Sequence, residues 1–160
     1  MLPISKLRPK LRGNLFQGEP IPSSEELRFD YLSAEDYAMR QIQAEYGQPI
    51  SRQIRLPDGA TFDGAFWVNH IIHLVEVKYT RNRYPSSLFQ QNISRIITTF
   101  KPEWKRFRVV FAIVYGGSQF HLGEERDRLT RLAEVEYHGQ VDVRCYSLLD
   151  LARQLGIKLT

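Results

Sequence analysis

The sequence predicts an α/β fold with a mixed central sheet and helices on both faces, in the order α-β-β-β-α-β-α-β-α. Three observations predict it. The strand-like runs "ATFDGAFWV" and "IIHLVEVKYT" are separated only by Asn69-His70, so they read as an antiparallel hairpin. "FRVVFAIVYG" is continuously apolar, the pattern of a strand covered on both sides. Segments of helical period precede and follow that run, so the later strands need helical crossovers.

Each element has its own signals. Residues 1–22 are rich in Pro, Gly and basic side chains and read as an extended basic arm; residues 23–160 read as a single domain. A helix starts near Ser23 or Ser33 and runs to Tyr46. "SAED" offers Ser33 as an N-cap with an acid three residues on. Gly47 and Pro49 stop the helix. Ala34, Ala38 and Ile42 share a face with Tyr31 in line; Glu35 lies on its shoulder and Glu45 near its middle. "ISRQIRL" alternates as a strand, and "PDG" turns the chain into the hairpin. "SSLFQQNISRIITTF" places Phe89, Ile93, Ile96, Ile97 and Phe100 on one helical face. After the apolar strand come an amphipathic helix ending at Gly139, the strand "VDVRCYS" and a closing helix "LLDLARQLG".

Of the 160 residues, 42% are hydrophobic and 25% charged, which supplies one ordinary core. No apolar run is long enough to cross a bilayer, and the N-terminus lacks the apolar stretch of a signal peptide. A single cysteine, Cys145, in a strand-like setting reads as a buried, inert thiol, and the cytoplasm is the default location. Net charge is +4, with basic residues crowding the arm and the segment after Glu76. Arg81, Arg83, Lys105, Arg106 and Arg108 are the candidate phosphate contacts there. The four histidines show no zinc spacing, and "YGGSQFHLG" lacks a Walker lysine.

The hairpin raises a question of charge. With Asn69-His70 as a two-residue loop, Val68 opposes Ile71 and Asp63 opposes Glu76. Lys78 shares the face of Glu76 because strand side chains repeat every two residues. Opposed side chains stand about 5 Å apart, and like charges at that distance repel by roughly 3 kcal/mol at an effective dielectric near 20. Lys78 offsets part of this. Mg²⁺ or Mn²⁺ would offset more, with Asp63, Glu76 and the Val77 carbonyl as ligands. Such a cation can activate water against a phosphodiester, with Lys78 orienting that water or meeting the charge that develops. His73 falls on the opposite strand face, to pack in the core or under a helix.

Asp63 in "FDG" and Glu76-Val77-Lys78 in "LVEVK", on strands of this order, resemble the PD-(D/E)xK nuclease superfamily, with its restriction-endonuclease-like fold. The resemblance spans about Ser33 to Tyr146. It implies Mg²⁺ held by Asp63 and Glu76, hydrolysis assisted by Lys78, and a further metal-site glutamate from the first helix, for which Glu35 is the choice and Glu45 the alternative. It also implies a glutamine from the helix after the motif, for which Gln90 is placed nearer the site than Gln91. The literal Pro57-Asp58 sits in a turn, and Phe62 stands where the family name has proline. The expected activity is metal-dependent nucleic-acid cleavage, most simply of DNA. A non-cutting nucleic-acid or protein-binding module is the alternative, as is a subunit active only in a larger complex. One site per chain suggests a homodimer for duplex cleavage.

Overall fold

The structure is a computed structural model that describes residues 24–56, 59–99, 106–116 and 121–156, with side chains from residue 31 onward. The basic arm, Pro57-Asp58 and Lys105 lie outside the described residues. Four helices and five strands follow in the predicted order: α1 (Ser24–Tyr46), β1 (Ser51–Arg55), β2 (Thr61–Val68), β3 (Ile71–Thr80), α2 (Ser86–Thr99), β4 (Phe107–Tyr115), α3 (Leu122–Glu136), β5 (Val141–Ser147) and α4 (Leu148–Gln154). No helix among the described residues is long and apolar enough to cross a membrane.

The strands lie side by side in sequence order, β1-β2-β3-β4-β5. The first three form an antiparallel meander, and β4 and β5 join parallel to β3. Short turns suffice for the meander, whereas each parallel step needs a crossover helix. Both crossovers advance the same way across the sheet. Right-handedness therefore puts α2 and α3 on one face. Phe89, Ile93 and Ile96 of α2 and Leu129 and Ala133 of α3 bury there against Leu74, Phe111 and Val143. On the other face Ala34, Ala38 and Ile42 of α1 and Leu148 and Leu151 of α4 cover Val75, Val77, Val110 and Val114. Covered twice, β4 is buried from Val109 through Tyr115, which explains its unbroken apolar sequence.

One local reading changes. Ser33 is not an N-cap, because α1 runs from Ser24 and Ser33 lies within it. The acid that made the cap pattern, Asp36, instead pairs with Arg40 at 3.1 Å and Arg52 at 2.7 Å. The hairpin turn is the predicted one. Val68 pairs with Ile71, and Asn69 and His70 have φ of 50° and 65°, the left-handed pair that a two-residue turn of this hand requires. His73 is buried and stacked on Phe66 with ring centroids 4.9 Å apart. Burial pushes the Cys145 thiol up to about 11, so it stays protonated and inert.

Candidate active site

The turn fixes the register, and the register delivers the carboxylates. Pairs from Val68↔Ile71 to Gly64↔Val75 keep one count, and the next step along it sets Asp63 opposite Glu76. The ladder stops there. On its other side β2 pairs with β1 in constant register at Arg52↔Gly64 and Ile54↔Phe62, yet the intervening Gln53 and Asp63 are not a ladder pair, and Gln53 has φ 54°. Asp63 thus sits where the sheet opens. Its carboxylate takes the bond that the ladder gives up: the Val77 N–H donates to Asp63 Oδ2 at 2.7 Å. A strand residue projects its N–H and C=O to the same side, so the Val77 carbonyl also faces the gap.

The gap is a cleft of about 520 Å³. Asp63, Glu76 and Lys78 line it, with Glu35 and Tyr31 from α1, Gln53 and Arg55 from β1, and Arg95 from α2. Glu76 is only 5% exposed. Burial, reinforced by the charge of Asp63, pushes its carboxyl up to about 7, against the pull of Lys78 and Arg95. Asp63 is also raised by burial, partly countered by the Val77 N–H and by Lys78 and Arg95. Glu35 is raised by burial and then by Asp63. The Tyr31 hydroxyl is raised well above its usual range by burial and by the same three carboxylates, so it stays a neutral donor. Lys78 Nζ lies 3.7 Å from Glu76 Oε2.

The structure sorts the remaining candidates. Of the two helix glutamates, Glu35 lines the cleft, while Glu45 is held by Arg144 Nη1 at 3.2 Å and the Tyr146 hydroxyl at 2.9 Å. Gln90 is exposed on α2 and does not line the cleft; from that helix it is Arg95 that reaches Glu76. The four described candidate phosphate contacts, Arg81, Arg83, Arg106 and Arg108, do not form one patch. Arg106 and Arg108 are exposed at the start of β4, where Arg108 pairs across from His73, three positions before Glu76 along the ladder. Arg81 and Arg83 follow the far end of β3. Arg83 pairs with Glu125 at 3.5 Å in a different cleft, and Arg81 Nε is buried without a hydrogen-bond partner. The cations at the carboxylates are instead Lys78, Arg55 and Arg95. Sequence reasoning missed Tyr31, Gln53 and Arg55 as site residues, and placed Arg95 only within the basic run after Glu76. The i,i+4 spacing of Tyr31 and Glu35 was a usable signal; a left-handed Gln53 has none.

No three His, Cys, Asp or Glu side chains among the described residues stand close enough to hold a metal ion together. The groups at the opening that could serve a hard cation are the Asp63 and Glu76 carboxylates, with the Val77 carbonyl behind them.

No family model matches the chain, and no curated protein does. Among solved structures, one of the restriction endonuclease FokI aligns over 97% of this chain at 17% identity and a TM-score of 0.41. The chain spans 31% of that structure's length. So loose a superposition carries no argument, and the function rests on the cleft's own geometry.

Proposed function

We propose that this chain hydrolyses phosphodiester bonds in nucleic acid, with DNA as the first substrate to test, using Mg²⁺ held by Asp63, Glu76 and the Val77 carbonyl. The observation that carries the reading is a buried glutamate pushed up to about 7 beside a second raised carboxylate, with a lysine at 3.7 Å, in an open cleft. Structural ion pairs do not gain by crowding two carboxylates into one desolvated gap. A site for a cation does.

The bound cation would supply charge neutralisation and a more acidic water. The chain's own groups do the rest. The Val77 N–H holds the Asp63 carboxylate in place, so its second oxygen keeps one direction. Lys78 shares the face of Glu76 and can donate to the attacking water or to a phosphate oxygen as negative charge grows there. Glu35 and Tyr31 close the α1 wall, Glu35 as a further acceptor and Tyr31 as a neutral donor. In this reading Gln90 has no part.

A second reading has one observation in its favour. Lys78 and Arg95 already balance Glu76 in part, and among the described residues no third carboxylate closes on the pair. That arrangement also suits a module that holds nucleic acid, or cuts only when a partner completes the site. The deciding experiment mixes purified protein with single-stranded and duplex DNA under Mg²⁺, Mn²⁺ and EDTA, beside Lys78→Ala. Metal-dependent cutting that is lost in the variant supports hydrolysis. DNA binding without cutting supports the second reading. Neither binding, cutting nor metal uptake returns Asp63, Glu76 and Lys78 to a structural cluster.

A further inference from the structure

Two cations stand beside one carboxylate oxygen in the cleft, and they differ in exposure. Lys78 Nζ is 3.7 Å and Arg95 Nη2 3.8 Å from Glu76 Oε2. Both also act on Asp63, so neither cation is committed to one carboxylate. Neither contact is a formed hydrogen bond, since a charge-assisted guanidinium–carboxylate bond measures about 2.7–2.9 Å. The lysine side chain is 28% exposed and the arginine 51%. Among the described residues the Arg95 guanidinium donates no hydrogen bond, so its five N–H donors are unspent.

The root of that side chain is nevertheless fixed. Ile93 and Ile96 flank it and are buried in the core under α2. The Arg95 carbonyl accepts from Thr99 Oγ1 at 2.6 Å within the helix. A planar fork on a fixed root, half in solvent and aimed at the carboxylate pair, suits a tetrahedral oxyanion that arrives from outside.

We propose that Arg95 is the phosphate-binding residue of the cleft. Its guanidinium rests near Glu76 in the free protein and grips two oxygens of the nucleic-acid phosphate that enters beside Asp63 and Glu76. The proposal rests on the reading of the cleft as a nuclease site. It assigns the substrate grip to α2, and not to the arginines that follow β3 or begin β4.

The test compares wild type, Arg95→Ala and Arg95→Lys. Fluorescence anisotropy with a labelled single-stranded DNA oligonucleotide in EDTA, over a range of salt, reads binding without hydrolysis. Calorimetry with Mg²⁺ alone reads the cation site, and steady-state cleavage in Mg²⁺ reads turnover. The expected results are these. Arg95→Ala binds DNA about tenfold more weakly, and its slope of log affinity against log salt falls by about 0.7, the loss of one single-strand phosphate contact. Its Mg²⁺ affinity is unchanged or higher, because a cation has been removed from beside Glu76. Arg95→Lys restores the salt slope and leaves kcat about tenfold low, since an ammonium is a point charge and cannot grip two oxygens.

If Arg95→Ala keeps both DNA affinity and salt slope, Arg95 merely balances Glu76 and the proposal is wrong. Loss of Mg²⁺ binding in Arg95→Ala overturns it too, as does full recovery of kcat in Arg95→Lys. The nuclease reading fails separately. A wild type that takes up no Mg²⁺ and cuts nothing, but binds DNA through Arg95, sinks hydrolysis and keeps the phosphate site. A wild type that neither binds nor cuts overturns both.

Discussion

Glu76 makes the protein less stable than its fold allows, and the deficit can be measured. Its carboxyl is raised from 4.5 to about 7, first by burial and then by Asp63. Each pKa unit is worth about 1.36 kcal/mol. An ionised Glu76 therefore costs the folded state about 3 kcal/mol relative to the unfolded chain. The sign follows from proton binding. Between pH 4.5 and about 7 the native state holds the proton that the unfolded state has lost, so stability falls as pH rises through this window. Glu76→Gln keeps the shape and removes the charge. It should be more stable than wild type by about 1–3 kcal/mol at pH 8, with the difference vanishing near pH 4. For a chain of this size that is a rise in Tm of roughly 2–4 °C per kcal/mol. Thermal melts at pH 4, 6 and 8 in EDTA measure it. Millimolar Mg²⁺ should then raise the wild-type Tm at pH 8 more than at pH 5, and should do little for the variant, because only the native site binds the cation. A variant that melts at or below wild type at pH 8, or whose advantage is the same at every pH, would refute the account of Glu76 as a buried, repelled charge.

Other expectations are as specific. Lys78→Ala should lose at least about a hundredfold in cleavage rate while Mg²⁺ uptake measured by calorimetry is retained, since the amine assists the reaction and holds no cation. Arg128→Ala should destabilise by about 2–3 kcal/mol in urea titrations: Arg128 Nε donates to Glu125 Oε2 at 2.9 Å and Nη2 to the Tyr84 carbonyl at 2.7 Å, and its loss leaves the buried Glu125 short of its main partner. Burial raises Glu125 but bonds from Arg128 and Tyr115 prevail and lower it. Its contribution is thus present above the ordinary carboxylate range and lost as pH falls through the depressed value, the reverse of Glu76. His70→Gly should stabilise by about 1 kcal/mol, because a left-handed φ of 65° costs a residue with a Cβ about that much; an unchanged or lower urea midpoint would show that the His70 ring earns its place.

The order of elements, the hairpin and the register that runs from Val68↔Ile71 to Gly64↔Val75 were all legible because they rest on period two, a two-residue loop and a continuous apolar strand. Those signals are local. The start of α1 was not settled by them, since "SAED" satisfies a capping pattern equally well inside a helix, where Asp36 finds Arg40 and Arg52 instead. The site's walls were illegible for a different reason. Arg55, Gln53 and Arg95 come to the carboxylates from β1 and α2, which sequence order alone does not aim. The basic residues after Glu76 made one cluster in the chain, but β3 and β4 run parallel. That places Arg81 and Arg83 beyond one end of the pair and Arg106 and Arg108 at the other. Residues close in sequence were separated by a sheet's length.

The opening of the sheet at Asp63 is what turns a charge problem into a site. In an unbroken ladder Val77 would find its acceptor in the β2 backbone, and the Asp63 carboxylate would be forced onto Glu76 with no other partner. Here the left-handed Gln53 interrupts β1 on one side of Asp63 and the β2–β3 ladder ends on the other. Asp63 then satisfies the orphaned Val77 N–H with its own side chain. That hydrogen bond stabilises the carboxylate in its ionised form and holds it at the mouth of the gap. Glu76 accepts from the Asp63 backbone N–H and feels Lys78 and Arg95, yet burial and the charge of Asp63 prevail and push it up to about 7. The two acids thereby differ: Asp63 is held in place by the Val77 N–H, and Glu76 is the more strongly raised group, which would gain most from a cation. The distortion also shows in the packing: Phe62 and Ala65 bury in the same core face although they are three residues apart, which a regular strand would place on opposite faces. Its effect falls on the cleft, and this is where a strained strand residue is expected to act.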